Sequence, residues 1–170
     1  MPDILFREAQ PADAAALIEF LKQIGSESDN MLFGEEGLGI CVEEETTFLD
    51  ESLKSDRRIF LLAVDGDEIV ACGSFSCNTL RAHTAHWGEV GLSVRKAYWR
   101  RGIGFQILSQ LIDFAKNTAH ADMMTLHVRA DNTAAIALYE KCGFVRTGVF
   151  PRMLRIGTQD YDSLQLVRML

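Results

Sequence analysis

YWRRGIGF, residues 98–105, decides how the rest of the chain is read. Arg100 and Arg101 run straight into Gly102 and Gly104. Apolar residues follow at Ile103, Ile107, Leu108, Leu111, Ile112 and Ala115, one face of a helix from about Gly102 to Asn117. The preceding residues, Trp87 to Val94, read as a strand, so the glycines fall at a strand-to-helix turn. The first N–H groups of a helix lack intrahelical partners, and the helix dipole adds positive potential there. Without a Cβ the turn lets an anion approach the backbone, and neighbouring guanidinium groups suit phosphate oxygens. The same glycines can instead serve only to relieve crowding, and this stretch alone does not choose between the readings.

Two nucleotide motifs are excluded. A Walker loop needs Gly-Lys-Ser or Gly-Lys-Thr after its glycines, and a dinucleotide fingerprint needs a third glycine where this chain has Ile107. A nucleotide-binding oxidoreductase falls with the second motif.

Further along, ADNTAAIALYEKCGF (residues 130–144) has the shape of a capped helix. Asp131 or Asn132 serves as N-cap, and Gly143 stops the helix after Cys142. Asn132 and Tyr139 lie nearly two turns apart and share a face. Taken alone, Tyr139 reads as a core aromatic.

Together the two stretches resemble the GCN5-related N-acetyltransferase (GNAT) family. Gly102 and Gly104 match its diphosphate loop, although Trp99 stands where the family has glutamine or arginine. GEVGLSV (residues 88–94) resembles its fourth strand. Asn132, Ala135, Leu138, Tyr139, Glu140, Gly143 and Phe144 fit its fourth helix and the strand after it, and YDSLQLVRML (residues 161–170) its last strand. The resemblance implies an α/β (α+β) fold: a mixed, mostly antiparallel sheet of about seven strands, a central parallel pair that splays, and helices on both faces. It implies acetyl-coenzyme A (acetyl-CoA) as cosubstrate. Pantetheine would lie along Leu92, Ser93 and Val94, and the diphosphate against Arg100, Arg101, Gly102, Ile103, Gly104 and Phe105. Asn132, Ala135, Tyr139 and Lys141 complete the cofactor residues it implies. It also suggests a homodimer.

The reaction so implied is attack of a primary amine, on a small molecule or a peptide, on the thioester. A lysine-like amine, with pKa about 10.4, is neutral in roughly one molecule per few thousand at pH 7, so a general base helps. Glu89 on the fourth strand is the candidate; its other reading is a solvated strand-edge acid. A backbone N–H near Ser93 or Val94 could receive the developing oxyanion. The resemblance gives Tyr139 the role of acid toward the leaving thiolate. His83, His86 and His127 read as loop or strand residues, and Cys142 as core. The competing functional reading is an acyl-CoA sensor without turnover.

The whole chain is consistent with this. Its 170 residues suit one domain, residues 1–170. Net charge is −7, but residues 1–70 hold 17 acids and 5 bases, while the remainder is basic. The basic part carries the expected diphosphate loop. The acidic part, with Glu27, Asp29, Glu35, Glu36 and Glu43 to Glu45, would attract a cationic acceptor. No broad basic stripe suggests nucleic acid. No secretory or membrane-spanning segment is read, and Cys41, Cys72, Cys77 and Cys142 lack metal or disulfide spacing, which suggests a cytoplasmic protein without a metal.

Before the key stretch the sequence predicts a strand over 4–7, a helix from Gln10 stopped by Gly25, a loop over 26–42 and a helix over 43–54. Strands over 59–64 and 69–76 join at Asp65-Gly66-Asp67. After it, strands are expected over 123–128, 144–149 and 161–169, with 150–160 separating the last two.

Overall fold

A computed structural model describes residues 4–170. The elements, in chain order, are β1 (Leu5–Glu8), α1 (Ala14–Glu27), α2 (Val42–Leu53), β2 (Arg58–Asp65), β3 (Glu68–Cys77), β4 (Trp87–Val94), α3 (Ile103–Asn117), β5 (Met123–Arg129), α4 (Thr133–Lys141), β6 (Val145–Ile156) and β7 (Gln159–Met169). The strands form one seven-stranded sheet in the order β1-β2-β3-β4-β5-β7-β6. Every neighbouring pair is antiparallel except β4 and β5. This is the mixed, mostly antiparallel sheet that the sequence suggested.

Alternation along the strands makes two cores, because successive side chains point to opposite faces. On one face Ile107, Leu108 and Leu111 of α3 pack with Phe75, Met124, Leu126 and Val128 of the sheet and with Ile136 of α4. On the other, Leu17, Phe20, Leu21 and Ile24 of α1 and Leu49 of α2 cover Leu62, Val64 and Cys72. Glycine allows the first contact to be close. A Cβ at Gly73 of β3 would stand 2.3 Å from Ile107 of α3.

Two expectations are corrected. Gly25 does not end α1, which continues to Glu27. The glycine is there for packing: a Cβ would stand 1.8 Å from the Gly34 carbonyl oxygen. The loop after α1 folds back against it. Residues 150–160 do not simply separate the last two strands, because β6 runs on to Ile156 and β7 begins at Gln159. The ladder shifts register between Phe150 and Leu154, around Pro151. Proline is tolerated there because β6 is an edge strand and an irregularity absorbs the missing donor. Gly157, with φ +60°, makes the turn.

Candidate active site

The parallel pair β4–β5 is joined over only three registered positions, Trp87 with Met123, Gly88 with Met124 and Glu89 with Thr125. Beyond these the strands part. β4 stays registered with β3 up to Val94, and β5 with β7 up to Arg129. Each strand is therefore held on its outer side and open on its inner side. The His86 carbonyl accepts from Asp122 N–H at 2.7 Å, and Arg95 N–H donates to the Val70 carbonyl at 2.9 Å. With alternation, Leu92 turns both its N–H and its C=O into the gap, Val90 its C=O and Val94 its N–H. Unpaired main-chain groups in a cleft call for a partner.

At the head of this gap stands the turn that opened the sequence analysis. Gly102 caps α3 with φ +79°, a left-handed conformation that glycine adopts without a Cβ penalty. The first intrahelical bond there is Gln106 N–H to the Gly102 carbonyl at 3.1 Å, so the N–H groups of Ile103, Gly104 and Phe105 precede the helix's own ladder. No heavy atom lies within 4 Å of a Cβ built on Gly102. At Gly104 a Cβ would stand 3.1 Å from Leu138, so this glycine also lets α3 approach α4. Arg100 and Arg101 are exposed, and the Arg101 guanidinium lies 4.7 Å from the centre of the Tyr98 ring. Ile103 is buried, so it offers this site its N–H and not its side chain. Phe105 is exposed, with Lys141 Nζ 4.9 Å above its ring.

Trp99, which departs from the expected loop pattern, has a use that the sequence did not disclose. Its indole N–H donates to the Val94 carbonyl at 2.7 Å and ties the loop to the end of β4. Ser93 sits differently from its neighbours. It faces the α1/α2 side, where its Oγ lies 3.7 Å from Met31 Sδ, and alternation gives its N–H to β3. Of the two oxyanion donors expected, only Val94 N–H opens into the gap.

From the α4 side, Asn132 caps the helix by accepting from Ala135 N–H at 3.2 Å, and Ala135 packs against the core. Tyr139 is 8% exposed and meets Phe144 edge-on at 5.8 Å between ring centres. Burial pushes its hydroxyl up to about 12, with Cys142 adding to the effect. The phenol is therefore held as a donor at neutral pH. Glu89 is exposed on the α1/α2 face, at the last registered position before the strands part. His127 is exposed on β5, two residues beyond Glu89's register partner and on the same face.

The loop between α1 and α2 crosses this face and is anchored on both splayed strands. Glu27 accepts from Arg95 Nε at 2.8 Å and from Lys96 N–H at 2.7 Å, next to the end of β4. Asp29 presents its carbonyl to Arg129 at the end of β5, at 3.0 Å. Arg129 also pairs with Asp131 and lies 4.2 Å from the centre of the Tyr161 ring. Sequence reasoning missed this strap, because residues 68 and 100 positions apart carry no local signal. Glu27, grouped there with acids free to attract an acceptor, is instead committed to Arg95.

These features coincide with a family match. The model for the acetyltransferase (GNAT) family covers residues 18–144. The chain belongs to this family. A GNAT-family acetyltransferase from Streptococcus pneumoniae superposes with a TM-score of 0.95 at 30% identity, over 99% of this chain and 100% of that one. An acetyltransferase fold from Salmonella typhimurium, yncA, solved with its cofactor acetyl-CoA, gives a TM-score of 0.85 at 19% identity, over 98% and 94% of the two chains. Among curated relatives, the N-alpha-acetyltransferase RimI of Mycobacterium tuberculosis is 42% identical over 74 residues, 44% of each chain. An N-alpha-acetyltransferase of Saccharolobus solfataricus is 35% identical over 67% of this chain and 72% of its own. The chain spans under half the length of the first three curated relatives it matches. No cluster of metal-ligating side chains occurs among the described residues.

Proposed function

We propose that residues 1–170 form one catalytic domain that moves the acetyl group of acetyl-CoA to a primary amine. The observation that carries this is the release of β4 from β5 beyond Glu89 and Thr125, in line with the bare N-terminus of α3. The inward C=O of Val90 and the inward N–H and C=O of Leu92 suit an extended chain bearing amides, such as pantetheine. The turn at Gly102–Phe105, with Arg100 and Arg101, suits the diphosphate.

In the transfer a C–N bond forms, the C–S bond breaks, the sulfur leaves as thiolate and the nitrogen gives up one proton. Glu89, at the point where the strands part, receives that proton directly or through water. Val94 N–H, or Leu92 N–H deeper in the gap, donates to the carbonyl oxygen as it gains charge. Tyr139 donates a hydrogen bond to the leaving sulfur. Its hydroxyl sits near 12, whereas a thiol sits near about 8.5. Burial thus favours the protonated phenol, which supports a hydrogen bond from Tyr139 to the departing sulfur.

The acceptor in this reading is an α-amine on a peptide or small molecule. The Mycobacterium and Saccharolobus relatives, both N-alpha-acetyltransferases, support it. An α-amine, with pKa about 8, is neutral in roughly one molecule in ten at pH 7 and depends less on a base than a lysine-like amine does. The enzyme acts in the cytoplasm, in keeping with four free cysteines, and as a homodimer, which sedimentation velocity checks.

Release of free thiol from acetyl-CoA in the presence of an amine panel tests the proposal. Amine-dependent release that falls in Glu89→Gln, more for a lysine-like amine than for an α-amine, supports it. Tight uptake of acetyl-CoA with no release for any amine replaces it with the sensor reading.

A further inference from the structure

At position 99 the diphosphate loop departs from the family pattern, and Trp99 brings no charge there. The residues beside it show what stands in. Tyr98 closes a short turn, its N–H donating to the Arg95 carbonyl at 2.9 Å. Its hydroxyl donates to Asp65 Oδ2 at 2.9 Å, at the turn between β2 and β3 and 33 residues away in the chain. Trp99 is tied by its indole to the end of β4. Both residues before the two arginines are therefore pinned, each to a different strand end.

Arg100 then takes φ +61°, a left-handed conformation that a residue other than glycine adopts only at a cost. With the chain turned there, Arg101 comes back over the Tyr98 ring, 4.7 Å from its centre. A guanidinium stacked on a ring uses its face, and its N–H groups, which lie in its plane, stay free for oxyanions. No carboxylate among the described residues forms an ion pair with Arg101. The acids of the nearby turn are engaged elsewhere, Asp65 with Tyr98 and Glu68 with Arg95. Other stacked guanidinium groups differ in this respect: Arg129 also pairs with Asp131, and Arg58 has Glu51 at 3.9 Å. Arg101 is thus held in place without being neutralised, directly before the Gly102 turn that opens α3.

We propose that Tyr98, anchored by Asp65, is a positioning residue that holds Arg101 for the diphosphate of acetyl-CoA and so makes up for the charge missing at position 99; this rests on the cofactor site of the transfer reading above. Tyr98 acts through Arg101, by fixing where its charge stands.

The test measures acetyl-CoA binding to the full chain by calorimetry, at low and high salt, for wild type, Arg101→Met, Tyr98→Leu and the double variant. Arg101→Met should raise the dissociation constant about tenfold and Tyr98→Leu about fivefold. The double variant should bind no more weakly than Arg101→Met alone, because residues that act as one unit are not additive. Raised salt should weaken the wild type more than any variant, since the lost contact is ionic. Acetyl-dephospho-CoA, which keeps the diphosphate, should lose the same factors as acetyl-CoA. Tyr98→Phe keeps the ring and loses only the bond to Asp65. It should weaken binding about twofold to threefold, and it carries the same cycle if the leucine variant folds poorly. Unchanged affinity in Arg101→Met overturns the proposal. So do losses that multiply in the double variant, the pattern of a tyrosine needed only for packing. A loss in Arg101→Met that acetyl-dephospho-CoA escapes also overturns it, because Arg101 then meets the other phosphate. If the wild type takes up no acetyl-CoA, the cofactor site and the proposal fall together. Uptake without thiol release for any amine, with the expected variant pattern, removes the transfer reading and leaves the role of Tyr98 in place.

Discussion

The two faces of the splayed strand pair are built by different means. The α3/α4 face is made of main chain and apolar packing: Gly102 and Gly104, the inward edges of β4 and β5, and a core centred on Ile107, Leu111 and Met124. The α1/α2 face is closed by side-chain polar links across long stretches of chain, Glu27 to Arg95 and Arg129 to the Asp29 carbonyl. A site that recognises an invariant carrier can be built from backbone, which every sequence possesses. A site that selects one acceptor must use side chains, because only they differ.

This contrast can be broken or sharpened by substitution. The largest effect belongs to Gly102→Val. A β-branched residue at φ +79° costs more than the roughly 1–2 kcal/mol of an ordinary left-handed residue, and it puts bulk where an anion would approach. Acetyl-CoA affinity should fall about a hundredfold by calorimetry, nearly 3 kcal/mol. A variant that binds as tightly as wild type would remove the backbone account of that face.

Tyr139→Phe comes next. It should lower kcat about tenfold to a hundredfold with acetyl-CoA affinity kept, since only the donor to sulfur is lost. Burial holds the wild-type hydroxyl near 12, so the phenol keeps its proton as pH rises toward that value. The pH profile of kcat should therefore show no falling limb from Tyr139 below about pH 10. Such a limb, present in wild type and absent in the phenylalanine variant, would contradict the buried-donor role.

On the opposite face Glu27→Gln should act in the reverse sense. It weakens the partners of Arg95 Nε and Lys96 N–H and should cost about 2 kcal/mol of stability, read as a lower Tm. KM for the amine should rise while acetyl-CoA affinity holds. An equal loss for both substrates would show that the faces are not separable. The smallest effect is Lys54→Ala at the far end of α2. The exposed Lys54–Asp50 pair should contribute no more than about 0.5 kcal/mol, with both substrates unaffected.

Legibility in the sequence follows the same division. The strand over 87–94 and the helix from Gly102 to Asn117 were readable to within a residue, because strand alternation, glycine punctuation and a helical apolar stripe are local signals. Gly25 misled for the same reason. A glycine near the end of an apolar stripe looks like a helix stop, and only the fold shows Gly34 pressed against it. Pro151 misled likewise, since an edge strand with an irregular ladder tolerates what a central strand would not. Ser93 was grouped with Leu92 and Val94, but alternation places it on the other face.

From the sequence alone came the glycine turn at the head of a helix, the capped α4 carrying Tyr139, and the division into an acidic and a basic half. Each depends on residues close together in the chain. The tertiary structure alone decided where β4 leaves β5, that Glu27 and Arg129 tie the strap to the two open strand ends, and that Glu45 is buried while Glu43 and Glu44 are exposed. These are contacts between distant segments. A helical or strand period says which side of an element is buried, but only packing says what that side meets.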